Sequence, residues 1–328
     1  MALILSVTIP FFALVLLGWL AGRAGRITRA GIAGLNGYVL TLALPAMLFR
    51  FGQKAPWTSW ADPVAIGLYA VCALVMVGLL LARARHWGLG QADGAFGALV
   101  GSFPNSGFMG LPMLVALLGP QAAGPVICTL WVDGFLTSAL CLARAQWPAS
   151  DHDRAERRAA IGRALVVALR NPLPWSMAAG AAVGAAGWSL PPVLDRVLQL
   201  LGDSASPVAL YAVGGLLWLA GQGTPATGGR TAAPAAGVWP SAAAKLLLHP
   251  ALVALAGWLA QRAGAPLADD TWRVLVLTAA LPGAGNAVLL GERYGADGGR
   301  VARIVMASTA LALLSFSGLT WWLTDRTA

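Results

Sequence analysis

The chain has 328 residues, 58% of them hydrophobic and only 11% charged, with 22 Lys+Arg against 13 Asp+Glu. A soluble domain carries about 25% charged residues, so an ordinary cytosolic enzyme, a disordered chain and a disulfide scaffold are all excluded. The net charge of +9 would suit a nucleic-acid partner, but the basic residues fall in short clusters between long apolar runs, so no nucleic acid is expected. The pattern is that of a polytopic, all-α membrane protein.

The first 22 residues hold no charged side chain, and the arginines follow the apolar run rather than precede it. That order is the reverse of a cleaved signal peptide, so residues 1–22 read as a retained first span. A bilayer core takes about 20 apolar residues per helix. Charge-free stretches cover 30–49, 63–82, 94–132, 171–194, 204–229, 274–291 and 304–324. Gly119-Pro120 splits the longest into a fourth span and most of a fifth, which runs on to Ala143. Residues 239–261, apolar apart from Lys245 and His249, make the eighth of ten predicted spans.

Orientation follows from the basic residues. With the N-terminus outside, the cytoplasmic loops hold Arg23, Arg26, Arg29, Arg83, Arg85, Arg144, Arg154, Arg157, Arg158, Arg163, Arg170, Arg230, Arg293, Arg300 and Arg303. The other side holds only Arg50, Lys54, Arg196, Arg262, Arg273 and Arg326. Both termini are therefore expected outside. Twenty arginines against two lysines add a compositional hint of a bacterial genome, hence of a bacterial plasma membrane. Five spans per half means that the second half enters the membrane from the opposite face.

Such a topology predicts internal symmetry, and the sequence carries two matches. Leu44-Pro45-Ala46-Met47-Leu48-Phe49 in the second span is echoed by Ser206-Pro207-Val208-Ala209-Leu210-Tyr211 in the seventh, 162 positions later. Phe103-Pro104-Asn105-Ser106-Gly107 in the fourth is echoed by Leu281-Pro282-Gly283-Ala284-Gly285 with Asn286 in the ninth, 178 later. The Gly-, Ala- and Thr-rich stretch 223–237 absorbs the 16-residue difference as a flexible linker. The predicted organisation is a five-helix repeat over 1–145, a cytoplasmic linker over 146–165 and an inverted five-helix repeat over 166–328.

Candidate chemistry is sparse. Cys72, Cys128 and Cys141 lie in apolar runs without CxxC spacing and read as packing. Asp151, His152 and Asp153 are adjacent residues of a charged loop, a solvated cluster rather than a metal site. No GxSxG, HExxH or P-loop occurs, so no enzyme and no metal or other cofactor are expected. A proline inside a helix cannot donate to the carbonyl four residues earlier, so Pro104 frees that of Val100 and Pro282 that of Thr278. Ser102, Ser106, Gly107 and Gly110, and Gly283, Ala284 and Gly285, let the backbone unwind around the breaks. Taken singly, Pro10, Pro45, Pro172 and Pro250 read as packing kinks. Two breaks at matching places in inverted halves point instead to a carrier's binding site. Helix N-termini beyond the breaks suit an anion, and Asn105 and Asn286 add neutral donors and acceptors.

Charges within spans default to function. Asp133 lies mid-way along the fifth span. Asp203 lies near the start of the seventh, where capping its helix is the alternative. Lys245 and His249, four apart, share one face of the eighth; for Lys245 the alternative is snorkelling to the interface. Lys245 is thus a candidate anion partner, while Asp133, Asp203 and His249 are candidates for H+ or Na+ coupling.

These residues together resemble the auxin efflux carrier family, specifically its bacterial malonate or malate permeases. The resemblance runs from IPFFALVLLGWLAGR and YVLTLALPAMLF through GSFPNSGFMGLPML and LGDSASPVALYAVGGLLWLA to KLLLHPALVALAGW and LPGAGNAVLLGERYG. It implies a ten-helix fold of two inverted repeats whose fourth and ninth helices are broken and cross near the midplane. Pro104 and Pro282 would be the crossover prolines, Asn105 a substrate-facing group, and Lys245 the family's frequent basic residue. The expected function is secondary transport of a small organic anion such as malonate or malate, in a lipid bilayer, with a homodimer left open. The rival is a membrane sensor domain of the same fold that binds solute without moving it. The large cytoplasmic loop of the plant carriers is absent.

Overall fold

The computed structural model describes residues 1–54, 62–147, 154–222 and 237–325. The Asp151–His152–Asp153 cluster, most of the 223–237 linker, Arg230 and Arg326 lie outside the described residues. The described residues form helices, named in chain order α1 (Ala2–Arg23), α2 (Arg29–Lys54), α3 (Pro63–His86), α4 (Gln91–Ser102), α5 (Ser106–Leu118), α6 (Pro120–Ala145) and α7 (Arg154–Leu169). After these come α8 (Pro172–Ala185), α9 (Pro192–Gly221), α10 (Val238–Arg262), α11 (Asp269–Ala279), α12 (Ala287–Arg293) and α13 (Gly298–Asp325). Seven of them (α1, α2, α3, α6, α9, α10 and α13) are long and apolar enough to cross a membrane. The predicted fourth span is divided between α4 and α5, and the ninth between α11 and α12.

Local chemistry sets the helix ends. Asp62 accepts from the N–H groups of Val64 and Ala65 with Pro63 in the first turn of α3, and Arg83 and Arg85 occupy its last turn. Asn171 caps α8 through the Leu173 N–H, again with proline following. The helices lack a narrow apolar stripe because lipid wets their outer faces. Leu16 and Leu17 on α1 and Leu314 on α13 are exposed, as are Trp188, Trp239, Trp321 and Trp322 near helix ends. Tryptophan there suits the headgroup boundary.

Two helix pairs pack through glycine. A Cβ on Gly18 of α1 would run into the Tyr211 carbonyl of α9, and one on Gly214 into the Val15 carbonyl of α1. Likewise Gly180 and Gly184 of α8 lie against the Phe49 and Gln53 carbonyls of α2. Without a hydrophobic drive between helices in lipid, such close backbone contact supplies the packing energy.

One reading of the sequence is corrected here. Asp203 does not start its helix, because α9 begins at Pro192 and carries Asp203 in its interior, so it caps nothing. Within and beyond the predicted linker 146–165, α7 occupies 154–169 and buries Ala160 and Ala164.

Candidate translocation site at the crossing of two broken helices

α4 stops at Ser102, whose Oγ turns back onto the Ala98 carbonyl at 2.7 Å. Pro104 has no N–H to continue the ladder, and Phe103 is extended. α11 stops at Ala279, and Pro282 breaks its continuation in the same way. The two unwound links then pair with each other as a short antiparallel bridge between Pro104 and Gly283. The Asn105 N–H donates to the Pro282 carbonyl at 2.8 Å, and the Ala284 N–H to the Phe103 carbonyl at 3.1 Å. Each break thus satisfies the other's backbone groups, as buried backbone requires. Gly283 must be glycine: a Cβ there would stand 2.8 Å from the Val100 carbonyl oxygen. Its N–H donates to Ser308 Oγ of α13 at 3.2 Å.

Beside the crossing lies a cavity of about 540 Å³, within the range of small-molecule sites. Pro104, Asn105, Ser106 and Gly107 form one wall, and Asn286 of the second break another. Asn36 of α2 and Ser138 of α6 add polar groups between Leu40, Leu44, Leu130 and Trp131. Asn286 Oδ1 is buried without a hydrogen-bond partner. Arg170 and Arg293 are the charged residues among those lining the cavity, which include no carboxylate. Its field is therefore positive, and its walls offer amide dipoles to an anion.

The remaining candidates stand elsewhere. Pro282 and Gly283 shape the crossing but do not line the cavity, and Gly285 is packed on Val213 of α9. Lys245 does not snorkel. It is fully buried, and its Nζ donates to the Ala279 carbonyl, the last residue of α11, at 2.5 Å. A cation at that position caps the negative end of the α11 dipole beside the break. His249 Nδ1 lies 3.4 Å from Lys245 Nζ, and its Nε2 is buried without a partner. Asp133 is also fully buried, accepting from Tyr69 Oη at 3.0 Å and from Thr137 Oγ1 at 3.1 Å, within electrostatic reach of Lys245. Tyr69 also places its ring 5.7 Å from that of His249. Asp133, Lys245, His249 and Tyr69 form one buried polar cluster, which does not line the cavity; Asp203 is exposed on α9 and belongs to neither.

Asp133 and Lys245 both sit on π-helical turns, Val132–Thr137 and Ala244–Leu248, and a third, Ser106–Gly110, follows the first break. Such bulges widen a helix by one residue and recur at functional places. Sequence reading missed Asn36, Tyr69, Arg170 and Arg293 as site residues. Tyr69 is a phenol in an otherwise apolar span, which was a usable signal; the arginines had been absorbed by the topology count.

Two half-helices crossing beside a cationic cavity, in an all-helical bundle with long lipid-facing helices, define a multi-pass membrane transporter. A family model described as membrane transport protein matches residues 3–320, and the chain belongs to this family, that of the auxin efflux carriers. It is 30% identical, over 97% of its own length and 95% of the relative's, to a protein of Rhizobium meliloti (strain 1021) named "Putative malonate transporter".

Proposed function

We propose that the chain is a secondary active carrier of small organic anions, with malonate or malate as the first substrates to test. The observation that carries this reading is the cavity at the crossing, where asparagines from two half-helices and two arginines meet without an acid. The relative's name supports the substrate class. In this reading Asn105 and Asn286 hold a carboxylate at the crossing, while Arg170 and Arg293 draw it in. Both arginines fall in loops assigned to the cytoplasm by the basic-residue bias, so this cavity opens inward, and rearrangement of the crossing against the glycine-packed pairs exposes the same amides outward.

The ten-span inverted repeat is part of the proposal. The glycine contacts support it: α1 of the first half packs on α9 of the second, and α8 of the second on α2 of the first. These are the same positions exchanged between halves. Both termini then lie outside a bacterial plasma membrane. A cysteine introduced at Ala149 should be shielded from an impermeant thiol reagent in whole cells and one at Ala328 labelled; the opposite result reverses the orientation, and labelling of both or of neither removes the inverted repeat. The three native cysteines are buried and do not interfere.

Moving a dianion inward against an inside-negative potential costs about 2.3 kcal/mol per charge per 100 mV, so accumulation needs a coupled cation. Asp133, held by Tyr69 and Thr137 beside Lys245, is the group we assign to proton coupling. Uptake of radiolabelled malonate into proteoliposomes, with and without a proton gradient, tests the carrier. Binding without uptake across a panel of carboxylates would establish the sensor reading instead. Malonate-driven proton movement that persists in Asp133→Asn would remove Asp133 from the mechanism.

A further inference from the structure

A second cavity, of about 330 Å³, lies between α1, α2, α5 and α9, and Asp203, Ser206 and Pro207 face it from one turn of α9. Its other walls are carbon-rich side chains, including Phe11, Met47 and Pro112. Three kinds of oxygen converge on this turn. Asp203 brings a carboxylate, and among the described residues it forms no ion pair or hydrogen bond that would neutralise it. Pro207 lies inside α9 and has no N–H, so the main-chain carbonyl of Asp203, four residues earlier, loses its helical donor. Ser206 is only 7% exposed, and its Oγ is buried with no partner. The contrast with Ser204 on the same helix is informative, because that hydroxyl bonds to the Leu201 carbonyl and to Tyr38 Oη, both at 2.7 Å.

The lining contains no Lys, Arg, His, Asn or Gln, so it offers acceptors and repels an anion. Hard cations take oxygen ligands, and released main-chain carbonyls in membrane helices serve Na+ in this way. A divalent ion would want more charge than one carboxylate supplies, and among the described residues no three His, Cys, Asp or Glu side chains gather as metal ligands. We propose that Asp203, through its carboxylate and freed carbonyl, and Ser206, through its hydroxyl, form a Na+ site in this second cavity. Pro112 belongs to α5, the half-helix that follows the first break, so the cavity that holds the ion is walled in part by the element that carries the anion site. Its role as a coupling ion rests on the carrier reading; its binding does not.

The test uses the purified full-length chain in lipid nanodiscs, with radioactive sodium in a choline buffer and no organic anion. Wild type should bind sodium saturably, displaced by unlabelled Na+ and not by equal K+. Asp203→Asn and Ser206→Ala should each weaken binding about tenfold or more. If Asp203→Asn does not reconstitute, Ser206→Ala, which removes one oxygen, carries the test. Absence of saturable binding in wild type, equal displacement by K+, or unchanged binding in Ser206→Ala overturns the site. Because no anion is present, that failure leaves the carrier reading to its own uptake assay.

Discussion

The glycine-packed helix pairs and the crossing of the breaks solve the same problem by opposite means. At the glycine contacts of α1/α9 and α2/α8 the helices run on as helices, and they meet through bare Cα atoms and carbonyls. At the crossing the helices surrender their ladders, and two extended links exchange hydrogen bonds with each other. The first contact has one geometry, fixed by shape, and any added atom breaks it. The second is made of a few directional bonds that can be remade with other partners, solute or water included. A carrier needs both: a frame that holds and a site that rearranges.

The sharpest way to break this contrast is to add volume to the frame. Gly214→Leu drives a side chain into the Val15 carbonyl, a backbone atom that cannot step aside. It should cost about 3 kcal/mol or more, read as loss of the monodisperse chain in detergent and a lowered melting midpoint. Gly134→Ala, at a glycine with open space around it, should cost almost nothing in the same assay. Equal tolerance of both would mean that the glycine contacts do not hold the frame.

The buried cluster behind the crossing comes next. Lys245→Met leaves the Ala279 carbonyl without its donor and Asp133 without its nearby cation. Removing one member of a buried charge pair costs about 3 kcal/mol, whereas replacing both members is often neutral. The expected result is a drop in thermal stability for Lys245→Met that is largely recovered in the double variant Lys245→Met/Asp133→Asn. Proton-driven uptake should stay absent in the double variant, which lacks the titrating group. A double variant as unstable as the single one would separate the two residues energetically.

Much of the crossing was legible from the residues because proline acts locally. A missing N–H marks a break wherever the chain goes, and a repeat of the break marks its partner, so Pro104–Asn105 and Pro282–Asn286 stood out. What joins distant segments was not legible. Tyr69 meets Asp133 across 64 positions, and nothing in either span announces the other. Charge-free stretches also mislead about helix ends: α9 starts at Pro192 and carries Asp195 and Arg196 in its first turns, where water tolerates them. That misplaced the start of the helix and, with it, the setting of Asp203. Arg170 and Arg293 were counted correctly as loop charges, yet the cavity reaches far enough toward the helix ends for loop charges to line it.

Within the site itself the effects shrink, because individual polar contacts are worth little net. Asn105→Ala removes an amide from the cavity wall while leaving the backbone bond to Pro282 in place. It should fold normally and raise the apparent KM for malonate about tenfold, since a hydrogen bond to a charged group is worth about 1.5 kcal/mol or more. Wild-type kinetics in this variant would make the first break a scaffold feature only.

Arg293 should give the smallest effect and the most diagnostic one. Its side chain is exposed at the end of α12 while lining the cavity, so water screens it and it cannot act as a buried clamp. A charge in that position attracts an anion over a distance and gains little from contact once the anion is bound. Arg293→Gln should therefore lower malonate uptake about two- to threefold at low ionic strength, mainly through the on-rate, and the loss should fade as added salt shortens the Debye length to about 8 Å. Arg293→Lys, which keeps the charge and loses the planar fork, should behave as wild type throughout. A loss that ignored salt, or that Arg293→Lys shared, would mean a direct bidentate grip on the carboxylate. The rearranging part of the molecule would then extend from the crossing out to the end of α12.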